Sequence, residues 1–194
     1  MNARVMMPCT PVLFALLASA PAVSAQSTGQ LTPHQVKLES VTYLGKPPVK
    51  IIEDGVVPNG EAYAVVKDTV FHNGTIDVEL AGRPAPGADG AARGFVGIAF
   101  RLQNGKFEYI YLRPTNGRAD DQVRRNHSTQ YSAHPDFSFA VSRQQAPEKY
   151  ESYVDLVPGA WTRCRIVVQG TTARLFVHGA RWEDWGQAPL EALA

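Results

Sequence analysis

Hydrophobic positions recur with a period of two in short runs, and turn residues separate those runs. Val36–Leu44 is the first run, stopped by Gly45 and the Pro47-Pro48 pair. Val49–Ile52 and Glu61–Val66 follow, and then Thr69-Val70-Phe71 leads into the turn dipeptide Asn73-Gly74. Thr75–Leu80 alternates Ile76, Val78 and Leu80 with Asp77 and Glu79. The central pair is the clearest: Phe95–Leu102 and Phe107–Arg113 flank Gln103-Asn104-Gly105-Lys106, a hairpin connection. Trp161–Gln169 and Thr171–Val177 form a later pair around Gly170. Helical spacing is confined to Gln144–Glu151 and the tail from Pro189. Many short antiparallel strands with such turns predict an all-β sandwich or barrel.

Alternation sorts the central hairpin into two faces. Ile98, Phe100, Leu102, Ile110 and Leu112 belong to the core, and the opposite face carries Arg101, Phe107, Tyr109, Tyr111 and Arg113. A face of tyrosines and cations suits a sugar. A pyranose has an apolar C–H side and a rim of hydroxyls, and Tyr supplies both a ring and a polar atom. Packing beneath covering loops is the competing role for the same residues. In the pair 161–177, Cys164 falls with Thr162, Ile166 and Val168, which predicts a buried, unreactive thiol.

Residues 1–25 stand apart. Arg4 precedes a short apolar stretch from Val12 to Ala18, and Val23-Ser24-Ala25 gives a small-x-small pattern before Gln26. This predicts a secretory signal peptide, too short in its apolar part to span a membrane, and a protein exported to the periplasm or the medium. The leader takes one of the 19 basic residues and none of the 18 acidic ones, so the remainder is neutral. A neutral domain has no electrostatic reason to bind nucleic acid or anionic lipid. Cys164 becomes the single cysteine, so no internal disulfide is available. The predicted layout is a signal peptide at 1–25, a flexible segment at 26–35, a sandwich at 36–179 and an irregular or weakly helical tail at 180–194.

Residues 114–137 form a long polar connection, and long loops in compact domains are commonly functional. They hold Asn116, Arg118, Asp120, Asp121, Arg124, Arg125, His127 and His134. Arg–Asp pairs pinning the loop are one reading. The other makes Asp120, Asp121, His127 and the later Glu151 acid/base candidates. Asn116, Arg124, Arg125 and His134 then join Arg101, Tyr109, Tyr111 and Arg113 as ligand contacts. Asp120, Asp121 and Asn116 carry hard oxygens suited to calcium, but without EF-hand spacing, and no cofactor is expected. No GxSxG, P-loop or dinucleotide fingerprint is present.

The stretches Gly94–Arg101, Tyr109–Arg118, Arg124–Ser128, Tyr150–Leu156 and Trp161–Gly179 resemble secreted bacterial domains of the concanavalin-A-like lectin/glucanase superfamily. The likeness spans roughly 38–179. It implies a jelly-roll of two antiparallel sheets whose concave face binds glycans, and some such domains, including keto-disaccharide-hydrolase-like ones, cleave sugars. The paired glutamates of the glucanases, with ExDxE-like spacing, are absent, so no catalytic residue carries over. Relatives also continue through two closing strands after the position of Gly179. Their expected loss here would uncover Val41 and Leu44 and leave an edge open to self-association. Three functions follow as expectations: glycan binding, sugar cleavage by Asp, His and Glu of the 114–153 region, and a structural or adhesion module.

Overall fold

The computed structural model describes residues 26–55, 62–178 and 188–191, the last four as backbone. The fold is all-β and sandwich-like, with twelve strands in antiparallel sheets among the described residues. One four-stranded sheet has the order β6 (Val96–Gln103), β7 (Lys106–Leu112), β8 (Thr129–His134), β9 (Glu151–Ser152). The other runs β12 (Ala188–Glu191), β11 (Thr172–His178), β10 (Thr162–Gln169), β5 (Gly74–Leu80). Two ribbons, β1 (Leu31–His34) with β4 (Tyr63–Val66) and β2 (Val36–Ser40) with β3 (Val49–Glu53), complete the fold.

The core lies between the two four-stranded sheets. Phe100, Ile110 and Tyr131 from one meet Ile166, Val168 and Ala173 from the other. A second cluster joins Leu112 and Leu156 to Cys164, with Val78 and Val177 packed against it. The period-two reading of β7 and β10 therefore holds, and that of β6 holds as far as Phe100; past the irregularity that follows Phe100 it fails, and Leu102, expected in the core, is 42% exposed. Ile98 packs against the core, while Arg163 and Arg165 face water opposite the buried Cys164, Ile166 and Val168. Burial pushes the Cys164 thiol up to about 12, which removes its nucleophilic thiolate.

Turn chemistry fixes the register. Asn104 and Gly105 both take positive φ, at 51° and 75°, in a two-residue turn that pairs Gln103 with Lys106. Gly97 has a different job. A Cβ there would lie 2.4 Å from the Ile110 carbonyl oxygen and 2.6 Å from Tyr111 Cβ, so only glycine lets β6 approach β7 at Tyr111.

Several expectations need correction. Residues 26–35 are not a loose segment: a short 3₁₀ turn leads into β1, whose Leu31 is buried and whose backbone pairs with β4. Pro33 and the polar neighbours masked the strand. The 114–137 connection contains a helix, α1 (Gln122–Asn126), and the whole of β8, one of the most buried strands. β8 is a strand because its backbone pairs on both sides, with β7 and β9, although its side chains are mostly polar. In the tail, residues 188–191 are extended and pair with β11 rather than leaning helical, because β11 offers them a free edge. The rest of 180–194 and the signal segment 1–25 lie outside the described residues. Helical spacing at Gln144–Glu151 also misplaced the helix: α2 (Phe139–Gln145), N-capped by Ser138, ends at Gln145 and packs on β8, residues 146–150 form a bend and turns, and Glu151 begins β9.

Candidate functional site

The outer face of the β6–β9 sheet is built by register. One row across it reads Gly97, Tyr111, Gln130, Glu151, and the next reads Ala99, Tyr109, Ser132. The two tyrosine rings lie 5.5 Å apart and 19° from parallel, both half-buried. On their β6 side, Gly97 and Ala99 are exposed and leave a low strip beside the rings. Phe95, the residue before β6, is 59% exposed and stands edge-on to Tyr111 at 5.8 Å. On the other side Ser132 is fully buried. Its Oγ is close enough to favour ionisation of both tyrosines but has no hydrogen bond of good geometry. Burial nevertheless dominates and holds both phenols above their ordinary pKa, so both are neutral donors.

Charge is concentrated at the Tyr111 end. The Glu151 carboxylate, its side chain 2% exposed, accepts from Arg113 Nη1 at 2.8 Å and from Arg143 Nε and Nη2 at 2.9 and 2.6 Å. Burial pushes the Glu151 pKa up, but the hydrogen bonds and charge of Arg143 and Arg113 together outweigh it and hold the group below the ordinary value. Arg113 also donates to the His127 carbonyl, the Tyr111 hydroxyl and Gln130 Oε1, and its guanidinium lies 5.0 Å from the Tyr111 ring. Gln130 in turn donates to Ser142 Oγ of α2 and to the Tyr150 carbonyl. His127 Nε2 sits 3.5 Å from Glu151 Oε2. Burial, seconded by the two arginines, outweighs Glu151 and lowers the His127 pKa, so the imidazole is neutral at pH 7. Arg143, on α2 and 39% exposed, is the cation nearest solvent in this group.

At the other end the rings continue. Phe107 lies 5.6 Å from Tyr109, stacks on His134 at 5.0 Å and meets Tyr63 of β4 at 5.1 Å. Tyr63 stacks on His34 of β1 at 4.6 Å.

The structure gathers Tyr109, Tyr111, Arg113, His127 and Glu151 into one place and His134 onto the same ring system. It does not gather the others. Arg101 leaves the tyrosine face because a bulge after Phe100 puts it at φ 57° and turns it over the sandwich end. There it donates to Glu108, Asn73 and the His72 and Gly170 carbonyls, tying β6 to both sheets. Asp121 is the N-cap of α1, accepting from the Arg124 amide at 2.6 Å, while His127 caps the other end of that helix. Asp120 is exposed, and its carbonyl accepts from Arg125. Asn116 bridges the His127 carbonyl and Arg124, and Arg125 also binds the Ala119 carbonyl and Gln122. These residues hold the connection in shape. Among the described residues no group of three or more His, Cys, Asp or Glu side chains is placed to hold a metal ion. No helix among them is long and apolar enough to cross a membrane.

Reasoning from sequence missed Gln130, Ser132, Arg143, Tyr63, His34 and Phe95. A signal existed for the first two: Thr129–His134 alternates Gln130, Ser132 and His134 against Thr129, Tyr131 and Ala133. The others come from segments whose docking is visible only in three dimensions.

No protein-family model, curated protein or solved structure matches the chain.

Proposed function

We propose that the domain binds carbohydrate on the Tyr109–Tyr111 face. The observation that carries this reading is the near-parallel, half-exposed tyrosine pair beside the low Gly97–Ala99 strip. A pyranose laid on these rings places its C–H side on aromatic carbon, while its hydroxyls reach the tyrosine hydroxyls and Arg143. The Glu151 cluster acts through Tyr111: Arg113, fixed by Glu151, holds the Tyr111 hydroxyl in place. The leader-like residues 1–25 and the resemblance to concanavalin-A-like jelly-rolls support an exported glycan-binding domain of that architecture. A glycan array on the purified domain tests the reading. Retention of one glycan class, lost on Tyr109→Ala, supports it, and an array without binding refutes it.

One observation favours a second reading, sugar cleavage. His127 is neutral and adjoins the binding face, as a general base must be. Its carboxylate neighbour Glu151 is ionised and committed to two arginines, which leaves it no proton to donate near pH 7. Release of reducing sugar from array-positive glycans, abolished by His127→Ala with binding intact, would establish cleavage. In the third reading, adhesion, another protein chain covers the rings instead of a glycan.

A further inference from the structure

The rings on this face do not stop at the tyrosine pair. In consecutive contact run Phe95, Tyr111, Tyr109, Phe107, Tyr63 and His34, with centroid steps between 4.6 and 5.8 Å. Four separate segments supply them: the residue before β6, β7, β4 and β1. Phe107 is buried at the middle, so there the outer surface passes to His134 and Tyr63, which lie against it. Both ends of the belt are open to water, since Phe95 and His34 are exposed.

Packing the β1–β4 ribbon onto the sheet accounts for part of this. Leu31 is buried, and Tyr63 set edge-on to Phe107 is an ordinary apolar junction. Neither needs His34 laid flat on Tyr63 at the surface, nor Phe95 left in water beside Tyr111. The belt is also amphipathic along its length. Tyr109, Tyr111, Tyr63, His134 and His34 each pair a ring with a polar atom, which suits a ligand offering alternating C–H faces and hydroxyls. Each ring-to-ring step is close to the length of one pyranose unit.

We propose that the ligand is an extended oligosaccharide spanning several sugar units, and that His34 and Tyr63 of the β1–β4 ribbon form a distal subsite for it. This rests on the carbohydrate reading above and adds to it the chain length and a second contact region. A single sugar would occupy the tyrosine pair alone. A longer chain would follow the belt across His134 to the ribbon, and each further stacked unit would add affinity.

The test is a calorimetric titration of the full mature domain with cello-, laminari-, manno- and malto-oligosaccharide ladders from one to six units. Within the series that binds, affinity should rise by at least about tenfold from the disaccharide to the longest member. His34→Ala, an exposed substitution, should return the long-chain affinity toward the disaccharide value, leave the disaccharide value unchanged, and leave the melting temperature unchanged. His34→Phe keeps the ring and should restore the long-chain gain. Equal affinity for short and long members, or a His34→Ala variant that loses nothing, overturns the extended site while leaving the tyrosine site standing. Absence of binding by every ladder overturns both.

Discussion

Replacing Glu151 with glutamine is the most informative perturbation of the site's support. The side chain keeps its size but loses the charge that faces two guanidinium groups. Arg113 is 6% exposed in its side chain and cannot turn to water, so it would be left as a buried cation with neutral partners at Tyr111, Gln130 and the His127 carbonyl. Removing one member of a buried pair costs about 3–5 kcal/mol. Arg143 is partly exposed and can rehydrate, which places the expected loss near the lower end, about 3 kcal/mol. For a domain of this size that is a fall of about 6–12 °C in melting temperature. Urea unfolding followed by tryptophan fluorescence measures it. The acid branch gives an independent check. The folded pKa of Glu151 is depressed, so its contribution is full above the ordinary value of 4.5 and is lost as pH falls through the lower folded value. Wild-type stability should therefore drop below pH 4.5 more steeply than that of Glu151→Gln. A variant within about 1 kcal/mol of wild type, with the same acid slope, would refute the claim that an ionised Glu151 holds Arg113 and Tyr111 in place.

Other outcomes follow from the same geometry. His127 also has a depressed folded pKa, so its stabilising contribution should begin to fade below about pH 6.5, a step that His127→Gln removes from the stability–pH curve. Arg101→Ala should cost about 2 kcal/mol in urea unfolding and leave glycan affinity unchanged, because its hydrogen bonds tie the sandwich end rather than the tyrosine face. Gly97→Ala should destabilise by about 1–3 kcal/mol and weaken binding, since the added methyl drives β6 away from Tyr111. Cys164 in the folded protein should resist a thiol reagent at pH 8 and react only on unfolding; rapid native labelling would contradict its burial.

The fold was legible where alternation is strong. Phe100, Ile110 and Leu112 against Tyr109 and Tyr111, and Cys164, Ile166 and Val168 against Arg163 and Arg165, follow directly from a period of two. It was illegible where a strand is buried but polar. β8 buries Gln130, which bonds to Arg113 and to Ser142 of α2, together with Ser132, and its alternation of Thr129, Tyr131 and Ala133 against Gln130, Ser132 and His134 is too polar on both faces to stand out from a loop. Arg101 misled for a local reason: one positive φ in a bulge moves the side chain off the face that strict alternation assigns it. Asp120 and Asp121 looked like acid/base groups by type, yet one is exposed and the other caps a short helix. The distal rings His34 and Tyr63 depend on a ribbon that folds back over the sheet, a long-range event without a local signature.

Sugar binding on the Tyr109–Tyr111 face rests on that ring pair. Calorimetric titration of wild type and Tyr109→Ala with the glycan retained best on the array tests it most directly, with melting temperatures recorded alongside. Tyr109 makes ring contacts to Tyr111 and Phe107 but is not wholly buried, so the variant should stay folded. The expected result is a loss of about 1–3 kcal/mol in binding free energy, roughly tenfold or more in affinity, by a protein that still melts cooperatively. Unchanged affinity in the folded variant, or a wild-type domain that binds no glycan, would contradict the claim.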